Sequence, residues 1–165
     1  MARPESPGAA LLGQWRRLSR LPGGEALFSR VLGWKVPYTG ALGARVRLLE
    51  PGRARITLRV RRGVRNHLGS AHAVALTNLG ELTTGLAVLT ALPPGVPGIV
   101  LRLESEFLKK GRGLLTAEAE AGPVEVEPGD STEFWVDAVI RDLEGDPVAR
   151  VRALWLLGRR GSGSS

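Results

Sequence analysis

Apolar positions along this chain recur with two different periods. A period of three to four residues occurs in the N-terminal part. Four large apolar residues share one side of the run Ala9–Arg20, which predicts an amphipathic helix. The break at Pro22-Gly23-Gly24 ends this run, and a second short helix is predicted at about Glu25–Leu32. Two helices are therefore expected before the first strand.

A period of two follows and predicts strands. In Arg53–Val60, small and aliphatic residues alternate with arginine and threonine, so one face of the strand is expected to be buried. A preceding strand joins it through Glu50-Pro51-Gly52-Arg53, a hairpin signal. The tight connections Lys109–Gly113 and Leu143–Pro147 predict that the later strands form an antiparallel meander. Those later strands, three or four in number, are Val100–Phe107, Leu114–Ala121, Phe134–Ile140 and Val148–Leu157.

Between the two groups of strands lies the longest apolar run, Ala71–Leu92. It predicts a central helix with Ser70 as N-cap, ended by Pro93-Pro94-Gly95. Leucines cover one broad side, and small residues permit close approach of a neighbour. A helix that is apolar nearly all round is buried.

One carboxylate interrupts this helix. Thr77, Glu81 and Thr84 form a narrow polar stripe along it. Burial of an unpaired carboxylate costs several kcal/mol, on the order of magnitude known for ions in proteins. Glu81 is therefore expected either to face solvent or to work at a site, with the stripe directed at the sheet or at a second subunit.

Composition narrows the class of protein. The chain has 165 residues and no cysteine, which predicts one globular core without disulfides or thiolate chemistry. No apolar run reaches the roughly 18 residues of a membrane span, and the N-terminus lacks the apolar core of a secretory signal. A soluble cytoplasmic protein is expected. The two histidines, His67 and His72, lack spaced carboxylates, so neither a metal nor a bound cofactor is expected.

Charge is distributed unevenly along the sequence. The net charge of +7 divides into +11 for residues 1–65 and −4 for residues 66–165. The early strands place arginine on their polar faces and the later strands place glutamate there, which predicts cross-strand pairs of opposite charge. This interpretation is favoured over nucleic-acid binding, because no aromatic residues lie in a basic cluster suited to stacking on bases. A membrane- or nucleic-acid-associated role for the basic N-terminal helix is a third, lower-ranked hypothesis.

The segment before the central helix reads Asn-x-x-Gly-x-x-His at Asn66, Gly69 and His72, and Glu81 follows nine residues later. With the order of strands and helix, this resembles the hotdog-fold thioesterases, in particular the branch related to the phenylacetate-pathway thioesterases. That branch has Asn, Gly, His-Gly-Gly and then Asp or Glu at these spacings. The segment Glu104–Gly122 also resembles the family's pattern of strand, basic turn, glycine and strand.

The resemblance covers roughly Gly43 to Leu157 and implies an α+β hotdog fold. In this fold a curved antiparallel sheet of five to six strands wraps around a long central helix; the extra N-terminal helices lie outside the resemblance. The expected organisation is an N-terminal helical extension at 1–33, a hotdog domain at 34–158 and a disordered tail at 159–165. The expected assembly is a homodimer or a dimer of dimers.

The resemblance also implies an acyl-CoA thioester hydrolase with a site shared between subunits. Glu81 would be the general base or the nucleophile, with Thr84 holding the water. Asn66 would orient the water or carbonyl, and His72 would position the thioester. The family's His-Gly-Gly reads His72-Ala73-Val74 here, but Ala73 still supplies a backbone N–H for the oxyanion.

Alternatives without catalysis stay open for these residues. Asn66 is able simply to bond the loop backbone, and His72 to be an ordinary interior histidine. The basic turn of Lys109, Lys110 and Arg112, with Gly69, would bind the phosphates of coenzyme A; an ordinary solvated turn is the alternative. The missing glycine pair motivates a second hypothesis, a non-catalytic acyl-CoA-binding hotdog protein.

Overall fold

The computed structural model describes residues 6–124, 126 and 130–158. The predicted tail at 159–165 and the first five residues of the predicted N-terminal extension lie outside this part. The helices and strands follow in the order α1 (Pro7–Leu18), α2 (Gly24–Lys35), α3 (Pro37–Gly40), β1 (Arg45–Glu50), β2 (Arg53–Arg59), α4 (Ala73–Ala91), β3 (Gly98–Phe107), β4 (Leu114–Glu120), β5 (Ser131–Arg141) and β6 (Pro147–Gly158).

The six strands form one antiparallel sheet in the order β1-β2-β4-β5-β6-β3. The hairpin of β1 and β2 and the meander of β4, β5 and β6 agree with the sequence. The prediction that β3 continues that meander is wrong, because β3 pairs with β6 at the far edge. The β2 strand takes the free side of β4, so that Arg53 lies opposite Glu120 and Arg55 opposite Glu118.

Helix α4 is the core around which the sheet curves. Its buried side contacts β2, β4, β5 and β6. Gly80 packs directly on β6, where a Cβ would overlap the Cβ and Cγ2 atoms of Val151. Gly85 faces the ring of Trp155, where an added Cβ would lie 3.3 Å from the nearest ring atom. This arrangement confirms the predicted α+β hotdog fold, a curved antiparallel sheet wrapped around a long central helix.

The helices before the sheet pack on one another and on α4. Trp15 of α1 and Phe28 of α2 are both buried and meet edge to face, with their ring centroids 5.2 Å apart. Gly8 lets α1 approach the backbone of α4 at Leu89. Extra N-terminal helices are thus present as predicted, and α1 begins at a Ser6 cap whose hydroxyl accepts a hydrogen bond from the N–H of Ala9.

The outer face of the sheet carries the predicted ladder of opposite charges. Arg55 on β2 pairs with Glu118 on β4. On β6, Arg152 pairs with Asp137 of β5 at 3.1 Å and with Glu104 of β3 at 3.8 Å. Exposed pairs of this kind each stabilise by only about 0–1 kcal/mol. They nevertheless account for much of the basic charge of the strands.

By length and composition alone, α4 is apolar enough to cross a membrane. More than half of it is buried inside this fold, and the curved sheet supplies its apolar surroundings. The helix is therefore the core helix of the domain, and its hydrophobicity reflects burial by protein.

Candidate active site

The loop before α4 is organised by Asn66. Its Oδ1 accepts hydrogen bonds from the N–H of Leu68 at 3.0 Å, the N–H of Ser70 at 3.2 Å and the Ser70 hydroxyl at 3.2 Å. Its Nδ2 reaches the carbonyl of Ala71 only at 3.5 Å. The oxygen of Asn66 is thus committed to the loop, while its amide N–H₂ keeps a donor for a further partner. Gly69 completes the turn with φ of +74°.

His72 is the N-cap of α4, which corrects the expectation that Ser70 plays this role. The His72 Nδ1 accepts a hydrogen bond from the backbone N–H of Val74 at 3.2 Å, and the backbone N–H of His72 donates to the carbonyl of Val64. Because Nδ1 is an acceptor, the neutral ring carries its proton on Nε2. The histidine side chain is exposed, so it is not an interior residue.

The first turn of α4 presents free amide donors. The first helical bond of this turn runs from the N–H of Leu76 to the carbonyl of His72, and the N–H of Val74 is taken by His72. The N–H groups of Ala73 and Ala75 point out of the start of the helix, where the backbone has no intrahelical acceptor. Ala73 is exposed, and its N–H lies at the positive end of the helix dipole.

Glu81 is half-buried on the side of α4 that the sheet leaves open. Within the residues that the structure describes, its carboxylate has neither an ion-pair nor a hydrogen-bond partner, and burial alone raises its pKa above the ordinary value. The same side of the helix carries Val74, which is 55% exposed, and Thr77, whose hydroxyl lies 2.8 Å from that of Ser105 on β3. Two members of the predicted polar stripe, Thr77 and Glu81, thus lie on an open surface beside the edge strand β3.

Thr84 lies away from this surface. Its side chain is fully buried, and its hydroxyl donates to the carbonyl of Glu81 at 3.0 Å. The structure therefore places Thr84 next to the backbone of Glu81, one turn along the same helix. A role in holding water stays a prediction.

The basic turn between β3 and β4 is partly engaged by acids. Lys109 Nζ lies 2.6 Å from Asp142 and 2.7 Å from Asp146, and hydrogen bonds to these two carboxylates raise its pKa. The same contact lowers the pKa of Asp142. Arg112 reaches back to the carbonyl of Leu68 at 3.5 Å, beside Gly69. The turn and the Asn66 loop are therefore neighbours, and Lys110 and Arg112 are its bases without a carboxylate partner in the described part of the chain.

Sequence reasoning missed a cavity of about 670 Å³ between α2, α3 and the start of β1. Leu82 of α4, the residue after Glu81, forms part of its wall. The sequence offered a weak signal for it in the closely spaced Gly33 and Gly40, which allow α2 and α3 to touch. Among the described residues no group of three His, Asp or Glu side chains is arranged to hold a metal.

Solved structures with this fold place the chain in a class. It is 28% identical to a Pseudomonas aeruginosa protein described as a probable thioesterase, with a TM-score of 0.73, 85% of this chain and 97% of that one being covered. It is 27% identical to a structural-genomics protein, with a TM-score of 0.78, 92% of this chain and all of that one being covered. A variant of the phenylacetic acid degradation protein PaaI from Thermus thermophilus is 25% identical, with a TM-score of 0.61, and 74% of this chain and 99% of that one are covered.

The fold and these neighbours define a hotdog protein of the thioesterase class. Among curated proteins, none matches the chain significantly. Residues 24–157 match the family model described as Domain of unknown function (DUF4442), and the chain belongs to this family. The matched region begins at Gly24, the first residue of α2.

Proposed function

We propose that the protein hydrolyses acyl-CoA thioesters at a site formed by two copies of the chain, with Glu81 as the base. The observation that carries this proposal is the unpaired, half-buried carboxylate of Glu81 on the open side of α4. A lone carboxylate in such a place is unfavourable for stability, and perturbed carboxyls cluster at functional sites. The thioesterase class of the structural neighbours supports the same reaction.

Geometry favours a site shared between chains. Eight residues separate Ala73 from Glu81 on one helix, a rise of about 12 Å at 1.5 Å per residue. A single thioester carbonyl cannot lie beside both the Ala73 N–H and the Glu81 carboxylate of the same chain. An antiparallel second copy of α4 would bring the donors of one chain to the acid of the other.

The edge strand β3 offers the surface for this pairing. Within the described part of the chain, it is hydrogen-bonded on one side only, to β6. Its apolar residues Leu103 and Phe107 remain 39% and 48% exposed, although they follow the alternation of a buried face. Such an unpaired apolar edge favours strand pairing with another chain. A homodimer, or a dimer of dimers, is therefore part of the proposal.

The reaction follows from these groups. Glu81 removes a proton from a water molecule as its oxygen attacks the thioester carbonyl carbon. The carbonyl oxygen becomes an oxyanion that the Ala73 N–H of the other chain stabilises, aided by the N-terminal end of its helix. The C–S bond then breaks, and Glu81 gives the transferred proton to the sulfur, so that coenzyme A leaves as the thiol. The acyl group leaves as the carboxylic acid, which loses its remaining proton to solvent and becomes the carboxylate. Direct attack by the Glu81 carboxylate is the variant of this route.

The remaining predicted residues hold the substrate. Asn66 Nδ2 and the exposed His72 Nε2 provide donors near the start of α4 for the carbonyl or the water. Lys110 and Arg112, beside the Asn66 loop, would bind the phosphates of coenzyme A. Lys109 contributes by tying this turn to Asp142 and Asp146. A location in the cytoplasm, where acyl-CoA thioesters are formed and used, stays a prediction.

One observation favours the second hypothesis, binding of acyl-CoA without turnover. Val74 replaces the second glycine of the family's pattern, and its side chain is 55% exposed beside the Ala73 N–H. This branched side chain narrows the approach to the oxyanion donor. Tight acyl-CoA binding with no release of free thiol would support this hypothesis against the hydrolase.

The direct test is hydrolysis of a panel of acyl-CoAs by the wild-type protein and by Glu81→Gln and Glu81→Ala. Loss of the base is expected to lower kcat by about 10²–10⁴-fold with a much smaller change in KM. Glu118→Gln is the matched control, because Glu118 pairs with Arg55 on the outer face of the sheet. Unchanged kcat in both Glu81 variants would remove this residue from the mechanism.

A further inference from the structure

The cavity between α2, α3 and the start of β1 has the properties of a binding site for an apolar chain. Its volume of about 670 Å³ lies in the range of small-molecule sites. Most of its wall is apolar or small, including Ala26, Leu32, Ala41, Val46 and Leu82. The polar Ser29 in this wall has its hydroxyl fully used, because it donates to the carbonyl of Glu25 and accepts from the N–H of Val46.

The shape of the cavity is set by a close contact of two helices. An added Cβ on Gly33 of α2 would lie 3.0 Å from the Cα of Gly40 at the end of α3. These glycines let the chain fold back on itself through Val36 and Pro37, so that α2 and α3 form adjoining walls. The close approach of the backbone at these two glycines therefore sets the separation of the two helices.

Exposed apolar residues extend the cavity to the surface. Trp34 is 79% exposed and Val36 is 44% exposed, and both belong to the lining. Large exposed apolar residues around a concave site mark a place where an apolar partner binds. The arginines of the lining, Arg30 and Arg45, are themselves exposed, so their charge lies at the solvent side.

The cavity adjoins the proposed hydrolytic site through α4. Leu82 follows Glu81 directly and lies about 100° further round the helix. One residue of the cavity wall and the proposed base are therefore adjacent in sequence on the same helix.

We infer that this cavity receives the acyl chain of the thioester, and that the preferred substrates carry a long, unbranched aliphatic chain. This inference rests on the proposed hydrolase function for the position of the carbonyl. The walls come from α2 and α3, so the helices before the sheet determine chain-length preference while the central helix carries out hydrolysis. Each methylene group that enters the cavity removes apolar surface from water and so tightens binding.

The test measures binding apart from turnover. S-Hexadecyl-CoA and S-butyl-CoA are thioethers that cannot be hydrolysed, and their Kd values are measured by calorimetry on the full chain. The hexadecyl compound is expected to bind wild-type protein at least tenfold more tightly. Ala26→Phe, which fills the cavity from α2, is expected to remove this difference.

Two further variants make the test interpretable. Ala9→Phe places the same side chain on the exposed side of α1, outside the lining, and is expected to keep the wild-type preference. Ala41→Phe enters the cavity from an exposed position after α3, so it provides a second filling variant if Ala26→Phe does not fold. Circular dichroism and thermal unfolding establish that each variant is folded.

The outcomes separate this inference from the proposed hydrolysis. Length-dependent binding that is lost in the filling variants, in a protein that releases no thiol, upholds the acyl cavity and overturns the hydrolase. Hydrolysis by a protein whose Kd values do not depend on chain length upholds the hydrolase and overturns the acyl cavity. A filling variant that keeps the preference overturns the inference. A filling variant that becomes a monomer in solution and keeps its chain-length preference also overturns the inference, because the cavity is then an interface between copies.

Discussion

The protonation of Glu81 is altered by its surroundings within a single chain. Its pKa is raised because burial penalises the charged carboxylate and no partner in the described residues compensates. A base that takes a proton from water works best when its pKa lies near the working pH. In the proposed reaction, the burial that makes this charge unfavourable would also make Glu81 a better base.

The same shift has a consequence for stability. The folded protein binds the Glu81 proton more tightly than the unfolded chain, whose reference pKa is 4.5. This residue therefore favours folding below that pH, and its contribution is lost as pH rises through the folded pKa. We expect Glu81→Gln to raise Tm at pH 7, with the difference from wild type shrinking towards pH 4.

Scanning calorimetry across this range of pH checks the expectation, again with Glu118→Gln as the control on the outer face. A Glu81→Gln protein with a lower Tm than wild type at pH 7 would contradict it. Such a result would show that a partner stabilises the carboxylate as an anion.

Helix α4 shows what sequence patterns resolve at the scale of one element. Its apolar run predicted a helix at 71–92, and the structure has Ala73–Ala91. The cap was misassigned because Ser70 is a common cap residue, yet its hydroxyl is drawn to Asn66 instead. That preference depends on the folded loop, which residue types in sequence do not reveal.

The position of β3 was missed for a related reason. A short basic turn after β3 predicts a hairpin with β4, since consecutive strands usually pair. The β1–β2 hairpin competes for the same edge of β4, and seven residue pairs join β2 to β4 there. Competition between distant strands is decided by the assembled sheet, so alternation within β3 correctly predicted a strand but not its neighbour.

Close packing of α4 on β6 gives a prediction at this scale. Gly80→Ala would force its methyl group into Val151 and separate helix from strand. Overpacking of this kind typically destabilises by about 1–3 kcal/mol. Gly13→Ala is the matched control, because a Cβ there meets nothing within 4 Å.

In the interior of α1 this control is expected to stabilise by about 0.5–1 kcal/mol, since alanine is the better helix former. Urea unfolding of both variants measures the difference in free energy. Equal effects of the two substitutions would mean that α4 does not contact β6 as closely as described.

At the scale of the whole molecule, the central helix of the domain is covered by the sheet on one side. The sheet wraps one side of α4 and leaves Val74, Thr77 and Glu81 along the other. The spacing of Asn66, Gly69, His72 and Glu81 was visible in the sequence because it follows local turns of one loop and one helix. Which chain supplies each half of the site is a question of assembly, and no spacing within one chain answers it.

Mixing two inactive variants tests that assembly. Ala73→Pro removes the N–H donor alone, because proline is well tolerated at the first position of a helix and His72 has the extended backbone that precedes proline. We expect it to lower kcat by about 10²–10³-fold. After unfolding and refolding with Glu81→Gln, the mixture is expected to recover about one quarter of wild-type activity, since each mixed dimer has one intact site.

Each variant refolded alone serves as the control and is expected to stay inactive. Failure of the mixture to recover, with mixed dimers demonstrated by mass spectrometry, would place both groups of a site on the same chain.

The three hydrogen bonds that converge on the oxygen of Asn66 have a consequence for the energetics of binding. They hold the loop in one conformation before any ligand arrives, so little conformational entropy remains to be lost there. The amide donors of this loop are therefore preorganised, and in the proposed dimer the association of two such chains would complete the catalytic geometry without ordering the loop.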